Sequence, residues 1–119
     1  MAKSEVGRIG ESIAAAYLEK SGFEILDRNW RCRAGELDLV VRGPDETVVF
    51  CEVKCRTGTG YGQPLEAITY AKVRKLRELA SHWLSEQAGP VGGVRFDGIG
   101  VVLARGFAPV ITHIRGIQP

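Results

Sequence analysis

The chain has 119 residues, of which 45% are hydrophobic and 25% charged, with a formal net charge of +2. That length fits one domain, residues 1–119, burying roughly two-thirds of its unfolded surface, and the near-neutral balance requires any nucleic-acid footprint to be local. Three cysteines (Cys32, Cys51, Cys55), no Cys-x-x-Cys and only two histidines argue against a zinc site and for reduced thiols in the cytoplasm. The N-terminus lacks a signal-peptide core and no apolar run approaches about 20 residues, which argues against export and membrane spanning.

Residues 4–20 read as a helix that Ser4 can cap and Gly22 can end. At 100° per residue, Ile9, Ile13, Ala16 and Tyr17 form one apolar sector, and Gly7, Ala14, Ala15 and Leu18 a second beside it. Glu5, Arg8, Ser12 and Glu19 make the solvated strip. Glu11 falls in the second apolar sector, where a carboxylate must be paired, protonated or metal-bound; Arg28 and Lys20 are the ordinary candidates for a partner.

Residues 23–30 read as a first strand, and Arg28-Asn29-Trp30-Arg31-Cys32-Arg33 as a basic connector whose arginines could meet phosphates. Trp30 fits a packing anchor better than a base-stacking platform, since Trp is highly buried on average. Two alternating runs, from Gly35 and up to Arg56, then flank the turn Gly43-Pro44-Asp45-Glu46. Glu36, Asp38 and Val40 share one face of the first run, and Leu37, Leu39 and Val41 the other. Phe50, Glu52 and Lys54 share a face of the second, and Val49, Cys51, Val53 and Cys55 the other.

A five-residue connection, Gly43 to Thr47, sets Val40 against Phe50, Asp38 against Glu52 and Glu36 against Lys54. Opposed carboxylates destabilise a sheet unless a positive group lies between them, and a divalent cation is one such group. A four-residue turn shifts the register by one and leaves ordinary solvated charges; the pattern alone admits both.

The glycine-rich stretch 57–64 lacks the Gly-Lys-Ser/Thr ending of a P-loop and reads as a mobile connection. Pro64 suits the first turn of a helix running to about Gln87, with Leu65, Ile68, Leu76, Leu79 and Trp83 as its stripe. Lys72 lies within that stripe, either snorkelling over the core edge or reaching the carboxylates on the sheet, while Arg74, Arg77, Glu78 and Ser81 face outward. After a Gly/Pro loop, residues 94–103 read as a fourth strand and 110–114 as a short fifth, at an edge. The order αβββαββ predicts an α/β domain with a central mixed five-stranded sheet flanked by helices.

Glu11, Asp38 with Glu52 and Lys54, and Lys72 all place charge on faces that should be buried, and such violations concentrate at functional sites. A helix carboxylate followed by Asp and then Glu-x-Lys across a hairpin resembles the PD-(D/E)xK nuclease core. The fit is to Glu11, Asp38 and Glu52-Val53-Lys54, with Lys72 as a helix contributor. The order is similar to that of archaeal Holliday-junction resolvases and other restriction-endonuclease-like proteins. More closely, the chain resembles the bacterial YraN-like family, an uncharacterised family of small domains in that superfamily. It shares Gly10-Glu11, Arg28-Asn29-Trp30-Arg31, Gly35-Glu36-Leu37-Asp38, Phe50 to Arg56, Gly62-Gln63-Pro64, Ala67-Ile68 with Lys72, and Arg95-Phe96-Asp97. Leu37 rather than proline precedes Asp38, a position that varies within the superfamily.

The resemblance implies a metal-dependent endonuclease acting on nucleic-acid phosphodiesters, with branched or damaged DNA as the expected substrate. It implies that Asp38, Glu52 and the Val53 carbonyl hold Mg²⁺ or Mn²⁺, with Glu11 as a further ligand, direct or through water. Lys54 would orient the attacking water or stabilise developing charge. Arg28, Arg31, Arg56 and Lys72 would contact phosphates. Junction-cutting relatives act as dimers, which makes a homodimer a candidate assembly. Two rival classes are a non-catalytic nucleic-acid-binding module with a structural ion site, and a protein-interaction domain whose charges simply pair, Glu36 with Lys54 among them.

Overall fold

Ser4 accepts a hydrogen bond from the Gly7 amide and so opens helix α1, Glu5–Lys20, which ends through Ser21 and the left-handed Gly22. The computed structural model describes residues 4–58 and 64–117. Strands β1 (Glu24–Cys32), β2 (Gly35–Arg42) and β3 (Thr47–Thr57) follow, then a 3₁₀ turn (Pro64–Ala67), helix α2 (Tyr70–Ser85), and strands β4 (Gly93–Leu103) and β5 (Val110–Ile114). This is the expected αβββαββ order. The five strands lie in sequence order across one sheet, with β3 and β4 parallel and every other neighbouring pair antiparallel.

The β2–β3 hairpin adopts the five-residue connection. Val40 pairs with Phe50 and Leu39 with Cys51, while the Gly43 amide closes the turn on the Thr47 carbonyl at 2.8 Å. The parallel β3–β4 pair needs a crossover, which α2 supplies on the face opposite α1. Ala14, Ala15 and Leu18 of α1 therefore pack with Leu39, Val41, Val49, Cys51, Val53, Ile99 and Val101. Leu76, Leu79, Ala80 and Trp83 of α2 pack with Leu37, Val40, Val48 and Phe50 on the other face. Trp83 meets Phe50 edge-on at 5.6 Å between centroids and donates to Asp27 at 2.9 Å, which ties α2 to β1.

Several sequence expectations are corrected. The basic connector is not a loop: β1 runs on to Cys32, Trp30 packs against the α2-side core, and only Arg33 and Ala34 turn the chain. The helix expected from Pro64 to Gln87 is two pieces, with α2 beginning anew at Tyr70, where Thr69 accepts from the Lys72 amide. Val73, not Lys72, occupies the buried stripe. Leu37 does not share a face with Leu39 and Val41; it packs on the α2 side with Val40. The cause is local. The ladder passes from Arg28–Leu39 to Trp30–Leu37 and omits Asn29 and Asp38, and Asn29 there is left-handed, with φ +53°. That conformation, tolerated by asparagine, breaks the alternation beside Asp38. The central glycine-rich stretch, 59–63, lies outside the described residues.

Candidate functional site

The β2–β3 ladder ends at Leu39–Cys51, one step short of the expected pairing of Asp38 with Glu52. Beyond it β3 continues along β4 as far as Thr57–Leu103, so the two antiparallel strands separate and leave a gap. Asp38 fills it: its Oδ2 accepts from the Val53 amide at 2.9 Å. A buried N–H left without a strand partner needs such an acceptor. The side chain thus replaces one rung of the ladder, and Asp38 and Glu52 are not directly paired, though the Asp38 charge still acts on Glu52.

A cleft of about 230 Å³ opens at this point between the start of α1 and the separated strands. Glu11, Asp38, Glu52, Lys54 and Arg56 line it, with Val53, Cys55, Ser4 and Gly7. Glu11 and Asp38 are 3% and 8% exposed. Glu11 comes this close because Gly10 lies directly on Cys55; a Cβ at position 10 would sit 2.5 Å from the Cys55 Cβ. Lys54 reaches Glu52 at 3.2 Å. Burial pushes the Glu52 carboxyl above the usual carboxylate range, the Asp38 charge pushes it further, and Lys54 and Lys72 oppose both.

Glu52 also forms a wall of a second cleft, about 210 Å³, lined by Glu36, Lys72, Lys75, Leu76 and Leu79. Lys72 is exposed but meets the carboxylate end of the sheet. The Lys54 ammonium beside it, followed by partial desolvation, holds its pKa below the usual lysine value, with Glu52 acting the other way. Of the expected phosphate-contacting residues, Arg56 lies in the first cleft and Lys72 in the second. Arg28 instead donates to Ser12 at 3.3 Å, and Arg31 pairs with Glu36 at 2.7 Å beside a separate cleft. Glu36 sits opposite Arg31 in the β1–β2 ladder, and the β2–β3 ladder stops before the expected Glu36–Lys54 pair.

The three carboxylates of Glu11, Asp38 and Glu52 that line the cleft are the hard oxygen chemistry that Mg²⁺ and Mn²⁺ prefer. Among the described residues no three acidic, histidine or cysteine side chains close into a metal cage. Mg²⁺ does not need one, since it keeps several waters and takes one or two carboxylates plus substrate phosphate. Burial first, and then the Asp38 charge, raise Glu52's proton affinity, and a bound cation would offset both.

A second buried charge cluster escaped the sequence reading. Asp97, fully buried on β4, accepts two hydrogen bonds from Arg95 at 2.9 Å, one from the Gly116 amide at 3.0 Å, and pairs with His113 Nε2 at 2.7 Å. His113 Nδ1 contacts the Tyr17 hydroxyl at 2.9 Å, which links β5 to α1. The only local signal was the Arg95-x-Asp97 spacing on one strand face; His113 and Tyr17 join through the fold. Burial pushes the Asp97 carboxyl up, but the bonds from His113, Arg95 and Gly116 outweigh it and hold the pKa at about 2.

An unfolded aspartate titrates near about 3.9. The depressed value therefore stabilises the fold fully above about pH 4, and that contribution is lost as pH falls towards 2. Asp97→Asn is expected to cost about 1.5–3 kcal/mol at neutral pH, with the deficit against the parent shrinking between pH 4 and 2. Urea unfolding of both proteins across that range checks it; a pH-independent difference would mean that the charge is not the source.

The model of an uncharacterised protein family, UPF0102, matches residues 10–101. That span holds Glu11, Asp38, Glu52, Lys54 and Lys72 and leaves out β5. The chain is 51% identical over 116 residues to a UPF0102 protein of Frankia casuarinae, covering 97% of each chain. It is 47% identical over 118 residues to one of Streptomyces griseus (98% of each) and 47% identical over 115 residues to one of Nocardia farcinica (97% of this chain, 90% of that one). The chain belongs to the UPF0102 family.

Proposed function

We propose that the protein is a divalent-metal-dependent nuclease that hydrolyses nucleic-acid phosphodiesters, DNA being the expected substrate, in the cleft of Glu11, Asp38, Glu52 and Lys54. One observation carries the reading: carboxylates from α1, β2 and β3 line a single cleft where the sheet opens, with a lysine two residues from one of them. Asp38 and Glu52, with the Val53 carbonyl and Glu11, would hold Mg²⁺ or Mn²⁺. When bound, the ion supplies charge neutralisation at the phosphoryl group and a water acidic enough to ionise near neutral pH.

The chain's own groups do the rest. The Val53 amide fixes the Asp38 carboxylate. Lys54 opposes the rise that burial and the Asp38 charge impose on the Glu52 carboxyl, and its ammonium would meet a phosphoryl oxygen. Arg56 and Lys72, at the mouths of the two clefts, suit flanking phosphates, so affinity should fall steeply with salt. Among the described residues no helix is long and apolar enough to cross a membrane, and three free thiols suit a reducing, cytoplasmic setting.

One feature favours a non-catalytic nucleic-acid-binding module: Glu52 already pairs with Lys54, and Asp38 with an amide. Calorimetric Mg²⁺ and Mn²⁺ titration, with cleavage assays on a four-way junction and a matched linear duplex, separates the readings. Asp38→Asn is the sharper variant, because alanine would strand the Val53 amide at a cost of about 1–3 kcal/mol whereas asparagine can still accept. Asp38→Asn should lower metal affinity by more than the ~10–100-fold typical of losing an outer partner, with folding retained. Glu11→Gln should weaken it more than Glu19→Gln on the exposed face of the same helix. Metal affinity unmoved by Asp38→Asn would reject the site, and DNA binding without cleavage in either metal would favour the module.

A further inference from the structure

The two edges of the sheet are built differently. Edge strands expose unpaired amides and carbonyls, and proteins blunt them with charge, bulges and irregular backbone. β1 has all three: Glu24, Asp27, Arg28 and Arg31, a register shift at Leu26, and the left-handed Asn29. Within Val110–Ile114 β5 has none of the three, and Pro109 and Arg115 only bound it. It reads Val-Ile-Thr-His-Ile, pairs with β4 in unbroken register, and turns Val110 (61% exposed) and Ile114 (46% exposed) outward around Thr112.

Beside β5 runs an apolar groove of about 600 Å³, walled by Ile13, Ala16 and Tyr17 of α1 and by Pro109 and Ile111. Ile13 and Tyr17 pack on the core by one side only and stay half-exposed, Ala16 is exposed, and Ile9, at the start of the same sector, is 41% exposed. An open strand edge and an open helix sector thus form one continuous surface.

We infer that this surface pairs with a second copy of the chain, β5 against β5, antiparallel, about a two-fold axis at Thr112. The sequence of β5 carries the choice of occupant. In an isologous interface each residue meets its own symmetry equivalent or that of a paired position, so a charged strand meets like charge. Here Val110 meets Ile114 of the second copy, Ile111 meets His113, and Thr112 meets itself. Apolar β-branched pairs flank a Thr–Thr pair, a combination that stabilises sheets, and no permanently charged side chain is opposed. The axis lies across the sheet, so the two α1 helices come to the same side and each groove faces the other copy. The rim of each groove carries both signs, Glu19 and Lys20, and so presents no single-signed field to its mate.

Sedimentation velocity on the full chain over a wide concentration range tests the pairing. The wild type should approach twice its 13.0 kDa monomer mass. Thr112→Lys, at an exposed position outside both cores, should stay monomeric with a native far-UV circular-dichroism spectrum and a concentration-independent melt, whereas the wild-type melt should rise with concentration; Ser81→Lys on the outer face of α2 should associate like the wild type. Paired Cα atoms in antiparallel strands lie about 4.5–5.5 Å apart, within disulfide reach, so Thr112→Cys should give a covalent dimer on mild oxidation that the parent, with its three native thiols, does not. A wild type monomeric throughout, a Thr112→Lys variant that still dimerises, or no cross-link beyond the parent's would each overturn the inference.

Discussion

Lys54→Ala is expected to slow single-turnover cleavage by about 10²–10³, the typical loss when a group stabilising transition-state charge is removed, while metal binding persists. Lys54 and Glu52 are two residues apart on one strand face, and the lysine ammonium lies 3.2 Å from the carboxylate. The lysine therefore touches the group that would hold the metal without being a ligand. Two effects on metal affinity oppose each other. Removing a nearby positive charge strengthens cation binding once Glu52 is ionised. It also removes one of the influences that hold the Glu52 pKa down against burial and Asp38, so protons compete to higher pH. At pH 8 affinity should match or exceed that of the wild type, and the pH profile of binding should shift upward. Affinity for uncut DNA should fall only modestly, as one phosphate contact among several. Equal cleavage rates for the two proteins would remove Lys54 from the chemistry.

The features of this site that were legible in the sequence are those set by short-range rules. Strand alternation placed Glu52 and Lys54 together, and helical phase placed Glu11 inward, where it is 3% exposed. The strand pattern admitted a four- or a five-residue connection, and the Val40–Phe50 pair shows that the five-residue one from Gly43 to Thr47 is used. The same rules failed at Asp38. Alternation carried it on to face Glu52, but the β2–β3 ladder ends a residue earlier, beside the left-handed Asn29 of the neighbouring strand. Nothing local to Asp38 signals that conformation.

Helix α2 was misread for a different reason. Pro64 is a sound helix-start signal, yet it opens only a 3₁₀ turn, laid over β4 where Gly98 and Gly100 leave room for Leu65 and Ile68. The later signal, Thr69 ahead of Val73, Leu76, Leu79, Ala80 and Trp83 at helical spacing, is the one the fold uses. Moving the phase to that start explains why Lys72 leaves the core stripe and comes to the mouth of a cleft. Of the Asp97 cluster only the Arg95 pairing followed a local rule, since the other two partners of Asp97 act through β5 and the turn after it.

Gly10→Ala is expected to damage both the fold and the site. An alanine Cβ there would lie 2.5 Å from the Cys55 Cβ and 2.9 Å from its Sγ, and the nearer atom is fixed to the strand backbone. Relief requires α1 to move away from β3. Overpacking of this kind costs about 1–3 kcal/mol, against which alanine regains about 1 kcal/mol of helix propensity. The net stability change should therefore be modest. The functional change should be larger, because Glu11 is the next residue on the displaced helix, and a misplacement of about 1 Å can cost 10²-fold in rate. A suppressor separates positioning from general damage. Cys55→Gly removes both clashing atoms and leaves the Cys55 Cα, 3.8 Å away, as an ordinary contact. The double variant should recover metal affinity and cleavage relative to Gly10→Ala, with a favourable coupling energy in the four-protein cycle. Additive losses in that cycle, or a Gly10→Ala protein with native metal affinity, would mean that the close approach of α1 to β3 does not hold Glu11 in the cleft.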